Sequence, residues 1–318
     1  MKKLLAVALM CAVAGLAGAQ EKDAPKKVEP SAQTVKLQKQ VEEIAAAHRG
    51  KVAFYAKNLK TGETAGLNAD EVVRTASTIK VAALIEGFYQ IKDGKKKLED
   101  KVTLKKEDVV GGSGAFTFLR APVELTVEDV LMFMTIYSDN TGTNLAIDQF
   151  GLKNINDRIT AMGLKNTYFY KKVFKPAEGP LPADQPKYGL GKTTPREMAE
   201  MLESVDRCDL GDKELCAKML DMLKKQQHRD AIPRYIEVSD TSEVPSGIAN
   251  KTGSLNALRA DVGIVYTKGG NKILISAFTD DNKDQRWTPD NEGTLTIARL
   301  AKAVVDAWAP KGVEAPKN

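Results

Sequence analysis

Histidine is almost missing from this sequence: His48 and His228 are the only two in 318 residues. A Ser-His-Asp triad needs an imidazole placed beside its nucleophile, and a zinc site usually gathers several His or Cys ligands at short spacing. His48 closes a helical pattern before Arg49-Gly50, where a surface position is expected, and His228 lies in the polar run Gln226-Gln227-His228-Arg229-Asp230. A hydrolase built on this chain therefore needs a different general base, and neither a metal nor an organic cofactor is implied. Cysteine is also scarce, with three in all. None has a histidine beside it in sequence, which argues against a thiolate nucleophile. No apolar run reaches the roughly 18 residues that span a bilayer. Charge leans little to either side: 47 Lys and Arg against 42 Asp and Glu give +5, with no long basic tract, so a nucleic-acid partner is not expected.

What is present begins with export. Lys2 and Lys3 precede an apolar run over residues 4–16, and Ala17-Gly18-Ala19 supplies small residues before Gln20. These are the three parts of a signal peptide, cleaved near Ala19; a buried N-terminal helix is the alternative. Cys11 lacks the small neighbours of a lipidated cysteine, so release into the periplasm or the medium is expected. Loss of Lys2 and Lys3 takes the net charge from +5 to +3. The mature chain keeps Cys208 and Cys216, which an oxidising compartment either joins or leaves as two half-buried thiols.

Residues 20–32 are polar with two prolines and read as a disordered leader. A catalytic domain over 33–312 follows, with a short tail at 313–318. Apolar spacing predicts a helix over 34–48, a buried strand at 52–56 and a second strand after the Thr61-Gly62 turn. A strongly apolar helix over 78–91 comes next. Thr126 opens a helix with Glu128-Asp129 in its first turn, and further helices are expected over 154–162, 195–205 and 213–227. Residues 165–192 form a long segment rich in Pro and Gly, of the kind that is usually functional or disordered. Strands at 259–266 and 272–278 flank the turn Lys268-Gly269-Gly270-Asn271, and a helix over 292–308 ends the domain. The N- and C-terminal strands are expected to share one antiparallel sheet, with the helical block as a second lobe and a cleft between them.

Three short patterns occur in order: Ser77-Thr78-Ile79-Lys80, Ser138-Asp139-Asn140 and Lys251-Thr252-Gly253. Each is weak alone; an N-capping Ser with an ordinary helix Lys, a turn, and an exposed edge strand would explain them singly. Together they suit nucleophilic catalysis. A serine hydroxyl needs a base beside it. Lys80, one turn on, shares its helix face and can serve if burial or a nearby cation lowers its pKa. A helix N-terminus adds backbone N–H groups aimed at the carbonyl under attack. Ser138 can relay a proton to a departing nitrogen, Asn140 can bind a substrate amide, and Lys251 places positive charge nearby. Thr252 can bind a substrate carboxylate, and Gly253 lets the backbone come close to a ligand.

With their surroundings, Thr75-Ala76-Ser77-Thr78-Ile79-Lys80, Tyr137-Ser138-Asp139-Asn140-Thr141-Gly142-Thr143-Asn144-Leu145 and Thr193-Thr194-Pro195-Arg196-Glu197-Met198, these patterns resemble the class A β-lactamases and other penicillin-recognising serine hydrolases over about residues 34–308. The resemblance implies an α/β (α+β) fold of the β-lactamase/transpeptidase type: an antiparallel sheet flanked by terminal helices plus an all-helical lobe. It implies that Ser77 is acylated with Lys80 as base and that Ser138 shuttles a proton. Asn140 contacts substrate, Lys251 and Thr252 hold its carboxylate with Arg259 assisting, and the backbone N–H groups of Ser77 and Ser254 form the oxyanion hole. The partner implied is a β-lactam or a peptidoglycan stem peptide, bound by a monomer.

The chain departs from the family in the long loop. The deacylating Glu falls on Glu178 when counted back from Thr193-Thr194-Pro195 and on Val173 when counted forward from Met162-Gly163-Leu164. The assisting Asn falls on Pro182, and Lys171 and Lys192 stand near the ends where a charged pair is expected. Glu178 and Asp184 are the candidate bases, with solvated loop carboxylates as the plain alternative. β-Lactam hydrolysis is the first expectation. A D-Ala-D-Ala carboxypeptidase with slow deacylation is the second, and a sensor that is acylated once without turnover is a third of another class.

Overall fold

A computed structural model describes residues 28–236 and 247–314. The expected signal peptide at 1–19 and most of the leader lie outside them. Within the leader's expected bounds, Ser31 caps helix α1 (Ala32–Ala46) through its side chain, so the helix and its cap reach two residues into the expected leader. Strands β1 (Lys51–Asn58) and β2 (Thr64–Leu67) follow, then β3 (Val73–Arg74) and a 3₁₀ turn over Ala76–Ile79 that runs into α2 (Lys80–Lys92). The middle holds β4 (Lys101–Leu104), β5 (Val123–Thr126), α3 (Val127–Ile136), α4 (Asn140–Phe150) and α5 (Leu152–Ala161). The long loop carries β6 (Tyr168–Phe169), α6 (Gln185–Tyr188) and β7 (Gly191–Thr193). Helices α7 (Pro195–Asp206) and α8 (Lys213–Lys224), strands β8 (Ile248–Leu255), β9 (Leu258–Tyr266) and β10 (Lys272–Asp280), and helix α9 (Glu292–Trp308) complete the chain.

The first and last strands meet as expected. The main sheet has the order β2-β1-β10-β9-β8, and β1 pairs antiparallel with β10 from Lys51↔Asp280 to Asn58↔Ile273. Alternation along each strand divides the core in two. Val52, Phe54 and Ala56 on β1, with Ile273, Ile275 and Ala277 on β10, pack with the apolar stripes of α1 and α9. Ala53 and Tyr55, with Leu274 and Phe278, face the helical lobe built on α2. Helix α2 is apolar nearly all round, as a helix enclosed by others must be. Gly87 on it leaves room for Phe150: a Cβ there would lie 2.9 Å from the ring.

Several expectations are corrected. His48 is buried, with Nε2 2.9 Å from Asn282 Oδ1 and Nδ1 3.1 Å from Thr296 Oγ1, because α9 folds over the end of α1. Lys251-Thr252-Gly253 lies inside β8 rather than ahead of a strand. The expected tail starts too early, since Val313 is buried and bridges to Thr267. Of the two possibilities for the mature cysteines, the structure has the Cys208–Cys216 disulfide. The capping box at Thr126 forms as read, with reciprocal bonds between Thr126 and Asp129.

Candidate active site

Ser77 sits in the 3₁₀ turn that leads into α2, and its surroundings are strained. Ala76 before it has φ +44° and Ser138 has φ +55°, both in the left-handed region that non-glycine residues avoid. Strand β8 runs close behind the turn. A Cβ on Gly253 would lie 2.7 Å from the Thr75 carbonyl oxygen and 3.0 Å from the Ser77 nitrogen. The glycine expected to admit a ligand thus first of all admits the turn that carries Ser77.

Lys80 is 1% exposed. Its Nζ donates to the Ser138 carbonyl at 2.7 Å, to Ser138 Oγ at 3.2 Å and to Asn140 Oδ1 at 2.9 Å. Burial pushes its ammonium well below the usual lysine range, and Lys251 pushes the same way; Asp139 opposes both. Lys251 is equally buried, donates to the Thr252 carbonyl at 2.9 Å, and is brought down to about 7 by burial against the opposing charge of Asp261. Asp261 is raised to about 6 by its own burial, although it accepts from Asn250 Nδ2 and the Ile232 N–H, both at 2.9 Å.

In front of the two lysines lies a cavity of about 1330 Å³. Ser77, Ser138, Asn140, Thr252, Gly253, Ser254 and Arg259 all line it, so the three sequence patterns converge on one place. Arg259 is tied elsewhere: its guanidinium donates to the carbonyls of Leu255, Leu258 and Arg286 and stacks 4.7 Å over the Trp287 ring. These bonds hold the segment around residue 286 and take three of the guanidinium's five N–H donors.

Glu178 is not brought into this cavity. Its side chain is 77% exposed, pairs with Lys172 at 2.7 Å and lines a separate hollow with Asp148 and Tyr168. Asp184 is also elsewhere: it accepts from Tyr170 Oη at 2.8 Å and Lys192 Nζ at 2.6 Å, a staple that closes the loop ends, and these partners hold its carboxyl below the usual range. Among the loop residues that do face the cavity is Val173. Its main chain is clamped at both groups by Asn144, which accepts from its N–H at 2.8 Å and donates to its carbonyl at 3.0 Å.

Sequence reasoning passed over four participants. Asp139, 1% exposed, accepts from the N–H groups of Ala115 (2.7 Å), Phe116 (2.8 Å) and Gly142 (2.8 Å), capping α4 and fixing the 111–116 loop. Asn144 fixes the long loop. Its place four residues past Asn140 on α4 was the available signal. His228 and Asp230 line the cavity from the segment before the 3₁₀ turn Ile232–Tyr235, and Asp230 is the one carboxylate among the described lining residues. Burial and the nearby Lys251 lower His228.

A profile of the beta-lactamase enzyme family matches residues 36–308. The chain belongs to that family. Among solved structures, the beta-lactamase from Sphaerobacter thermophilus DSM 20745 is 29% identical, with a TM-score of 0.74 over 85% of this chain and 96% of that one. The beta-lactamase from Chitinophaga pinensis DSM 2588 is 22% identical, with a TM-score of 0.73 over 86% and 99%. A mutant of PBP-A held as an acyl-enzyme complex with penicillin G is 21% identical, with a TM-score of 0.73 over 86% and 96%. The last two likenesses speak for the fold. No curated protein sequence matches the chain. Family and fold together mark an enzyme of the serine beta-lactamase type, with the antiparallel sheet and helical lobe that the resemblance implied.

The position of Asp139 in this beta-lactamase fold makes a prediction. Asp139→Ala leaves three inward N–H groups without their acceptor and is expected to lower unfolding free energy by about 2–4 kcal/mol. Urea denaturation followed by circular dichroism measures it, and an unchanged midpoint would remove Asp139 from the framework of the site.

Proposed function

We propose that the protein is a serine acyl-enzyme hydrolase of β-lactams, acylated at Ser77, in which breakdown of the acyl-enzyme is the slow step. One observation carries the acylation half: Lys80, three residues after Ser77, is buried with its amine on Ser138 Oγ and Asn140 Oδ1, both of which line the cavity with Ser77. In its neutral form Lys80 takes the Ser77 proton as Oγ attacks the lactam carbonyl. Developing negative charge on the carbonyl oxygen faces the N–H groups of Ser77 and Ser254. Ser138 passes a proton from Lys80 to the lactam nitrogen as the C–N bond breaks. Lys251 and Thr252 hold the substrate carboxylate, and Asn140 meets the acyl amide. The signal-peptide pattern adds export to this reading.

The deacylation half rests on the loop. Its cavity-facing residues are Lys171, Lys172, Val173, Phe174, Gln185, Gly189 and Leu190, and none is a carboxylate. Water at the acyl carbonyl therefore lacks a loop base. This favours the second reading, a penicillin-binding D-Ala-D-Ala carboxypeptidase, in which a β-lactam acylates the same serine and leaves slowly. A sensor without turnover would share the acylation and differ only in never releasing the adduct.

Time-resolved mass spectrometry with benzylpenicillin tests both halves. The parent is expected to form a covalent adduct that outlasts the acylation phase, and Ser77→Ala to form none; an adduct on Ser77→Ala would sink the nucleophile. Val173→Glu is expected to shorten adduct lifetime by about a hundredfold, the lower end of the usual range for general base catalysis. Glu178→Gln should leave the lifetime unchanged. The reverse pattern would return the base to Glu178.

The pH profile supplies a second test. Acylation needs Lys80 neutral and Lys251 charged. An ammonium brought down to about 7 is charged below that pH and neutral above it, so the second-order acylation rate with an anionic penicillin should fall as pH rises through about 7. Lys251→Arg keeps its charge and is expected to move this alkaline limb upward by more than a unit. An alkaline limb that stays in place would dissociate it from Lys251.

A further inference from the structure

We infer that Phe174 is a specificity-determining residue that selects β-lactams carrying a flat apolar acyl group; this rests on the reading that Ser77 is acylated. The chain is fixed on both sides of it. Val173 is clamped by Asn144, and Lys175 reaches across to donate to the Glu107 carbonyl at 2.9 Å. Between these anchors Phe174 takes φ +54°, a left-handed conformation unfavourable for a bulky side chain. The ring gains no burial in exchange, being 72% exposed. A strained backbone that presents a large apolar ring to water is what folding alone removes, and such strain gathers where a ligand is handled.

The position of the ring says what it would meet. It lies against Gly112 on the opposite wall, where an added Cβ would fall 3.1 Å from Phe174 Cε2 and 2.6 Å from Asn140 Nδ2. Gly112 thus keeps this wall bare of side chain, so the ring and the Asn140 amide flank the same short stretch of the cavity. A substrate whose acyl amide rests on Asn140 projects its acyl substituent toward that stretch. The neighbouring Val173 extends the apolar surface, and the ring offers a face for stacking.

Benzylpenicillin and 6-aminopenicillanic acid, which differ only by the phenylacetyl group, test this by their second-order acylation rates. The parent is expected to favour benzylpenicillin by about tenfold or more, and Phe174→Ala to lose about tenfold with benzylpenicillin while 6-aminopenicillanic acid changes by no more than about threefold. Phe174→Tyr, which retains the ring, should keep the preference. Circular dichroism with thermal melting confirms the fold of each variant. An equal loss with both compounds, or a preference unchanged in Phe174→Ala, would overturn the inference. Failure of both compounds to acylate the parent would instead overturn the Ser77 reading beneath it.

Discussion

An ammonium taken out of water costs several kcal/mol unless its hydrogens and charge are met, and Lys80 is buried at the junction of the two lobes. Its three acceptors are one carbonyl and two side-chain oxygens, all supplied by Ser138 and Asn140. Those residues can supply them only because Ser138 tolerates a left-handed backbone and Asp139 anchors the turn to the 111–116 loop. On the other side, the turn carrying Ser77 depends on the bare Cα of Gly253. The geometry of the site can thus be traced as the answer to one electrostatic demand, met by three elements far apart in sequence. A second buried lysine, Lys251, adds positive potential that makes Lys80 easier to deprotonate.

The two halves of the chemistry rest on different kinds of support. Ser77, Lys80 and Asn140 belong to helices or their first turns, and Lys251 to a strand with neighbours along its length. Groups placed on such elements hold their geometry closely. The loop over residues 165–192 is held instead by discrete ties: the Asn144 clamp on Val173, the Tyr170–Asp184–Lys192 staple and the bonds from Asn166 and Thr167 to Glu197. A charged staple closes the loop even though Lys171 and Lys192 looked unmatched in sequence; Lys192 finds its carboxylate eight residues back.

The groups proposed for acylation could be picked out in the sequence because each is a short local pattern whose residue types have little other reason to recur in that order. The terminal helices were legible for a related reason: α9 has a continuous apolar stripe, and its bounds coincide with the expected 292–308. Helix α4 was missed because Asp139-Asn140-Thr141-Gly142-Thr143-Asn144 is turn chemistry locally, and only tertiary contact makes it a helix. His48 was misplaced because its partners, Asn282 and Thr296, come from the far end of the chain. Glu178 lies in a separate hollow, where tertiary contacts and not sequence spacing put it. Counting along the sequence assumes a fixed loop length, whereas the place of Val173 on the cavity wall is fixed by its two hydrogen bonds with Asn144.

That placement separates acylation from release. The Asn144 clamp acts on the peptide groups of Val173, so it presents whatever side chain stands there, and it is indifferent to whether that side chain is an acid. The acylating constellation makes no contact that depends on a carboxylate at this position. On the proposed mechanism, the fold can therefore keep the nucleophile, proton relay and carboxylate pocket while the loop changes the lifetime of the acyl-enzyme. An apolar residue at the clamped position also leaves the nearby cavity wall apolar, which suits a site that retains its acyl group better than one that must bring an ordered water to it.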